Sequence, residues 1–311
     1  MATPGRRRRH DPLAATQARS PSPFPSAVDL HTHTTRSDGV LAPADLVAAA
    51  AACGVTFMAL TDHDTLAGYR DVVASGAVPS GLELVPGVEI NALVTRDLGL
   101  WEGELHILGF GMDPDDEAFE AALSMQRGRR RVRFERTVEK LRGLDLPIDA
   151  QVAALRTVDD DALGRPTIAR ALMAAGHATS VEDAFRRFLG WGSPAYVPRE
   201  GLGPAEAIDV IRSAGGLAAL AHFSEARGRV DVVRELVEGG LRGLEVYYRS
   251  FDAATTKSVR TVATDLGLVQ TGGSDYHGDL GSYADAHAYL WVPASVADGV
   301  RAALGVQSAR P

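Results

Sequence analysis

PAEAIDVIRSAGGLAALAH, residues 204–222, reads as a helix over 204–214 and then a strand over 217–222 that ends on His222. The unit recurs downstream. A helix over 230–238 leads to a strand over 243–248. A helix over 253–266 leads to a strand over 268–271, and Gly272-Gly273-Ser274-Asp275-Tyr276-His277 follows directly. Helices alternating with short apolar strands imply an α/β protein with a parallel sheet or barrel. In a barrel of this kind active sites are built at the C-terminal ends of the strands, and the polar residues of these units fall there.

The same alternation holds upstream. Residues 28–31 read as a short strand. Residues 43–53 read as a helix, with Pro43 in its first turn and Gly54 beyond its end. An apolar strand over 55–60 runs straight into Thr61-Asp62-His63-Asp64. Two more strands, over 84–90 and 105–110, carry Glu89 and His106. Residues 114–203 differ: they are mostly helical and rich in charge, with Met125, Val132, Val138 and Leu141 at helical spacing among many arginines. The expected division is a disordered tail over 1–26, a barrel made of 27–113 and 204–311, and a helical insertion over 114–203 covering the active site.

Bulk properties narrow the function. A chain of 311 residues is long enough for one large domain or one domain carrying an insertion. The net charge of −8 excludes a whole-surface basic footprint, so long duplex nucleic acid is not an expected partner. No apolar run approaches about 18 residues, so no membrane span is expected. The single cysteine, Cys53, excludes an intrachain disulfide and reads as a small buried hydrophobe. It fits a reducing cytoplasm, the expected location. The N-terminal segment has a basic start, Arg6 to Arg9, but no apolar core of a secretory signal. Its Pro, Ser and Arg content predicts disorder.

Six of the nine histidines lie in short motifs at or near strand ends: His31, His33, His63, His106, His222 and His277. His31 and His33 are two apart, so in a strand both imidazoles face the same way and can reach one metal. Asp38 follows in a turn, Ser37-Asp38-Gly39. Glu89 ends a strand, and Asp275 stands two before His277. Any one of these is weak evidence, because an isolated strand histidine is usually a packing residue. Together they are hard to explain by packing: burying so many ionisable groups without a cation costs several kcal/mol each.

Imidazole and carboxylate ligands without thiolate suit Mn²⁺, Fe²⁺ or Zn²⁺. Nine ligands are too many for one ion and suit two or three, with a carboxylate such as Glu89 bridging. Clustered divalent ions acidify bound water to a pKa of about 7 and clamp the oxygens of an in-line phosphoryl displacement. Three such ions, set against Asp38, Glu89, Asp275 and one hydroxide, leave a surplus of about two positive charges. That surplus matches a phosphomonoester dianion better than a diester. Asp29, Asp62 and Asp64 lie close enough in sequence to stand behind the ligands.

The motifs Asp29-Leu30-His31-Thr32-His33, Ser37-Asp38-Gly39, Thr61-Asp62-His63-Asp64-Thr65, Gly87-Val88-Glu89, His106, Ala221-His222 and Gly273-Ser274-Asp275-Tyr276-His277 resemble, in order, those of the PHP (polymerase and histidinol phosphatase) superfamily. The chain is most similar to the stand-alone phosphoesterases of that family, which act on nucleoside 3′,5′-bisphosphates or short 5′-phosphorylated RNA. The resemblance implies a distorted (β/α)7 barrel with a trinuclear centre. One metal would take His31, His33, Glu89 and Asp275. A second would share Glu89 and take His106 and His222. A third would take Asp38, His63 and His277. On this reading Glu89, His222 and Asp275 carry the catalysis.

Relatives often have Arg-Pro-His in the insertion where this chain has Arg165-Pro166-Thr167, and Pro after the Ala-His pair where it has Phe223. Arg130 and Arg133 are three apart and share a helix face. With Arg165 they could hold a second phosphate by bidentate contacts; the competing reading is a solvated charged face. Two other functions fit the motifs less well. The arginines count against a histidinol-phosphate phosphatase, since a small monophosphate needs no second clamp. The full ligand set counts against a non-catalytic, metal-stabilised binding module.

Overall fold

The structure, a computed structural model, describes residues 21–22, 24–94, 104–155, 164–278 and 280–305. The segment 1–20, read above as part of a disordered tail, lies outside these residues. Seven strands form one sheet in sequence order: β1 (Val28–Asp29), β2 (Phe57–Leu60), β3 (Glu83–Leu93), β4 (Glu104–Phe110), β5 (Leu217–Leu220), β6 (Gly243–Tyr248) and β7 (Val269–Gly273). Every residue of β2, β5 and β6 is buried. A parallel strand covered on both faces is apolar throughout rather than alternating, and these short runs read that way.

Pairing is parallel between β1 and β2, β2 and β3, β5 and β6, and β6 and β7. It is antiparallel on both sides of β4, which corrects the expectation of a purely parallel sheet. The reason is connection length. A parallel crossover needs a dozen or more residues, usually a helix. Between Leu93 and Glu104 there is room only for a return, so β4 runs backwards. His106, near the start of β4, therefore points into the same mouth as residues at the ends of the other strands.

The sheet curls until β7 meets the segment after β1. Leu30 N–H donates to Gly272 O at 3.0 Å, and Asp275 N–H donates to His31 O at 2.7 Å. Gly273 permits this approach, because a Cβ there would lie 2.4 Å from His31 Cβ. Outside the barrel pack α1 (Pro43–Ala52), α2 (Ala67–Ala74), and, further along the chain, helices Pro204–Ser213, Val230–Glu238, Ala253–Asp265 and Ser295–Ala303. Cys53 follows α1 as its C-cap and is half-buried rather than buried.

Between β4 and β5 the described residues form helices only: α3 (Glu117–Gly143), α4 (Asp149–Leu155), α5 (Arg165–Ala174) and a short α6 (Val181–Ala184) that runs into a π turn over Phe185–Leu189. Asp116 caps α3 by accepting the Phe119 N–H at 2.8 Å. These helices share a small core of their own, including Phe134, Leu141, Ile148, Ile168, Leu172 and Leu189. The buried stripe of α3 runs through Phe119, Leu123, Gln126, Phe134, Thr137 and Leu141. Of the four apolar residues at helical spacing, Leu141 is buried, whereas Met125 and Val132 are exposed, at 44 % and 45 %. They are seven apart and so share a face, but it is the solvent face. No described helix is long and apolar enough to cross a membrane.

Candidate metal centre

His31 and His33 leave the end of β1 side by side. A turn over residues 35–38 brings Asp38 back to them, closed by Ser37 N–H and Gly39 N–H donating to Thr34 O, each at 3.0 Å. Gly39 packs directly on the His33 backbone, where a Cβ would lie 2.2 Å from the carbonyl oxygen. His63 follows β2 and bridges to Glu89 of β3. His222 follows β5, and Asp275 and His277 follow β7. Asp64, His222 and Asp275 hold left-handed backbone, with φ of +56°, +30° and +51°. Such conformations cost about 1–3 kcal/mol each and persist where the surroundings over-determine them.

The ligand-type atoms fall into three groups, each within 4.8 Å of one another: His31, His33, Glu89 and Asp275; Glu89, His106 and His222; and His33, Asp38, His63 and His277. These are the three sets drawn from the motifs, with His33 shared by two of them. Glu89 stands at the centre. One oxygen is 3.2 Å from His33 Nε2 and 3.1 Å from His63 Nδ1; the other is 2.7 Å from His106 Nδ1 and 3.4 Å from His222 Nε2. Asp275 Oδ1 lies 3.3 Å from both His31 Nε2 and His33 Nε2, and Asp38 Oδ1 lies 3.2 Å from His277 Nε2.

These residues fit divalent cations. His31 Nε2, His33 Nε2, Asp38 Oδ1 and His63 Nδ1 are buried and, among the described residues, make no hydrogen bond, although each lies close to oppositely charged atoms. Atoms arranged to converge on a shared ion have that geometry; atoms arranged to bond one another do not. The electrostatics agree. Burial pulls the His31 ring pKa down, but Glu245, Asp275 and Glu89 overcome it and hold it well above its usual value. His106 rises to about 9 and His277 to about 10 against the same burial, under Glu89 and Asp38 respectively. Asp38, Glu89, Glu245 and Asp275 thus draw positive charge strongly into the cavity. Burial, helped by His33 and Arg130, takes His63 well below its usual value, which keeps it neutral.

Polar groups behind the cluster aim it. Asp29 accepts Ser274 N–H at 2.9 Å and Tyr283 O–H at 2.8 Å, tying β1 to the loop after β7. Asp62 accepts Thr34 N–H, Thr34 O–H and Ser37 O–H at 2.7, 2.8 and 2.7 Å, fixing the turn that carries Asp38. Asp64 Oδ2 pairs with Arg130. Two such groups were missed in the sequence. Glu245 of β6, fully buried, accepts His31 Nδ1–H at 3.0 Å and the His222 backbone N–H at 2.7 Å. Tyr248 O–H donates to Asp275 Oδ2 at 3.0 Å. A glutamate inside the apolar run Gly243–Tyr248 was the available signal for the first.

A cavity of about 160 Å³ opens beside the cluster, lined by Asp38, His63 and His106. Arg129, Arg130, Arg133, Arg165 and Arg199 line it as well. Arg130 also donates to Asn91 Oδ1 at 3.0 Å. Glu104 sits among three of the others, 2.6 Å from Arg199, 3.1 Å from Arg165 and 3.6 Å from Arg133. Burial opposes its charge, yet Arg199 and its neighbours hold its carboxyl well below the usual range. Arg199 and Glu104 were not anticipated, since neither lies in a motif. Arg127, by contrast, is a structural ion pair to Glu120 at 2.6 Å. Gly164, Arg165, Pro166 and Ile168 line the cavity, and Thr167 is buried in the first turn of α5. Phe223 packs against the barrel core.

The PHP domain profile matches residues 29–139, which include six of the nine ligand-type residues. The chain is 34 % identical over 281 residues to a 5′–3′ exoribonuclease of Salmonella typhimurium, covering 86 % of this chain and 90 % of that protein. It is 31 % identical to a 3′,5′-nucleoside bisphosphate phosphatase of Chromobacterium violaceum, covering 80 % of this chain and 87 % of the relative. Among solved structures it superposes on a Bifidobacterium adolescentis chain described as a metal-dependent phosphoesterase, with a TM-score of 0.77, 31 % identity, and 91 % and 98 % of the two chains covered.

Proposed function

The chain belongs to the PHP domain family, and on that premise we propose that its preferred substrates are nucleotides carrying a second phosphate: nucleoside 3′,5′-bisphosphates or short 5′-phosphorylated RNA. It is a metal-dependent phosphoesterase, the activity common to the relatives and to the structural neighbour. The observation that carries the substrate reading is the wall of five arginines beside the ligand cluster. Arg129, Arg130, Arg133, Arg165 and Arg199 are set against Glu104, Glu200 and the Asp64 paired with Arg130, which leaves a surplus of two positive charges. That surplus suits a phosphate other than the one being cleaved. A histidinol-phosphate substrate offers nothing for this wall to hold.

His31, His33, Glu89 and Asp275 would hold one cation, Glu89, His106 and His222 a second, and Asp38, His63 and His277 a third, with Mn²⁺, Fe²⁺ or Zn²⁺ suited to the donors. When bound, these cations supply Lewis-acid polarisation of phosphoryl oxygens and a lowered pKa for water. The chain's own groups do the rest. Glu245 accepts the Nδ1–H of His31 and so directs Nε2 toward Glu89 and Asp275, where a bound cation would replace its proton. Tyr248 fixes one oxygen of Asp275 so that the other faces the cluster. The cavity is smaller than the roughly 300–1,000 Å³ of pockets that enclose whole drug-sized ligands. It therefore admits the phosphate-bearing end of a substrate, with the helices after β4 acting as a cover that supplies the arginines.

The test is phosphate release by purified protein with Mn²⁺ from a panel of nucleoside 3′,5′-bisphosphates, mononucleotides, short 5′-phosphorylated RNA and histidinol phosphate. Higher kcat/KM on the substrates with two phosphates supports the reading. Equal or higher values on mononucleotides or histidinol phosphate contradict it.

A further inference from the structure

Glu104 lies among three of the arginines that line the cavity, and its position is unexpected for a wall built to bind anions. Oε2 lies 2.6 Å from Arg199 Nη1, and Oε1 lies 3.1 Å from Arg165 Nη2 and 3.6 Å from Arg133 Nη1. It thus occupies three of the five guanidiniums that line the site, and Asp64 occupies a fourth, that of Arg130. A phosphate approaching these donors meets a carboxylate already bound to them.

We propose that Glu104 is a resident competitor for the arginines, which determines specificity by rejecting free anions while admitting a phosphate tethered to one at the metal cluster. The proposal rests on the two-phosphate reading above and deepens it. Without a central carboxylate, Arg133, Arg165 and Arg199 would form an open cationic cluster that takes up inorganic phosphate, including the reaction's own product. With Glu104 in place, a free anion must displace a carboxylate held at hydrogen-bond distance by two guanidiniums. A substrate whose other phosphate is already engaged at the cluster presents its second phosphate at high effective concentration, and so competes successfully where a free ion does not. The same carboxylate spaces three like charges in the empty wall. Arg133 shows the strain of that crowding: burial and then Arg165 lower its pKa to about 10.

The experiment is calorimetric titration of the Mn²⁺-loaded full-length chain with inorganic phosphate, comparing wild type, Glu104→Gln, and Glu104→Gln combined with Arg199→Ala. Glu104→Gln keeps the side chain's size and removes its charge. It should tighten phosphate binding about tenfold, the effect of a charge-assisted hydrogen bond no longer contested. The double variant should lose most of that gain. Glu104→Asp, which keeps the charge but shortens its reach, should tighten binding by less, and it serves if the glutamine variant does not fold. Unchanged or weaker phosphate binding in whichever folded variant is measured overturns the proposal. The substrate panel on wild type separates the two ideas: no preference for two phosphates sinks the underlying reading, whereas an intact preference with unchanged phosphate affinity in the variants sinks only the role of Glu104.

Discussion

Replacing Glu245 with Gln probes how the barrel aims its ligands without touching a ligand. The carboxylate is fully buried and accepts two hydrogen bonds, from His31 Nδ1 at 3.0 Å and from the His222 backbone at 2.7 Å. Glutamine has the same shape, but only one of its two terminal atoms accepts. One of the two donors must therefore face an N–H₂ group. A hydrogen bond to a charged partner contributes about 1.5–3 kcal/mol, and losing it corresponds to about ten- to a hundredfold in an equilibrium constant. Partners behind metal-bound histidines show losses of about the same size. The loss should appear as weaker Mn²⁺ binding, because either His31 is no longer held with Nε2 aimed at the cluster or His222 loses the brace for its left-handed backbone. Calorimetric Mn²⁺ titration of the chelator-treated protein measures this directly. Wild-type Mn²⁺ affinity in a folded Glu245→Gln variant would refute the reasoning, since it would mean that the two bonds orient nothing.

Three further outcomes are expected. Glu89→Gln, which removes the charge shared by two of the three ligand groups, should lower kcat by orders of magnitude in the Mn²⁺-supplemented phosphate-release assay; near-normal turnover would remove Glu89 from the centre. Arg130→Ala and Arg133→Ala should each reduce kcat/KM about ten- to a hundredfold on bisphosphates and spare mononucleotides. Equal losses on both substrate classes would mean that the arginines only support the fold. Gly273→Ala puts a methyl 2.4 Å from His31 Cβ and should destabilise the chain by about 1–3 kcal/mol, as overpacking does; an unshifted denaturant midpoint would show that the seam between β1 and β7 can open freely.

The candidate ligands were legible because metal chemistry restricts residue type and spacing, and because strand ends are where a barrel gathers polar groups. His31 and His33 needed only the two-residue period of a strand to be placed together. The direction of β4 was also legible: only ten residues lie between β3 and β4, fewer than a parallel crossover needs. What could not be read were contacts set only by the closed barrel. Glu245 and Tyr248 serve His31 and Asp275 across 214 and 27 residues of chain. Arg199 reaches Glu104 from an irregular stretch with no periodicity to mark it. On α3 the opposite problem arose. Met125 and Val132 have correct helical spacing, but spacing alone does not say which face is covered. Polar Gln126 and Thr137 are buried while those two apolar side chains are not.

The central claim is that a cation cluster held by this barrel cleaves phosphate esters that carry a second phosphate. Its most direct test is phosphate release from a nucleoside 3′,5′-bisphosphate by chelator-stripped protein, measured before and after titration with Mn²⁺. The account predicts no release from the stripped chain, recovery as Mn²⁺ is added, and faster turnover than on the corresponding mononucleotide. Undiminished release from the stripped protein, or no release at any Mn²⁺, Fe²⁺ or Zn²⁺ concentration, would contradict it.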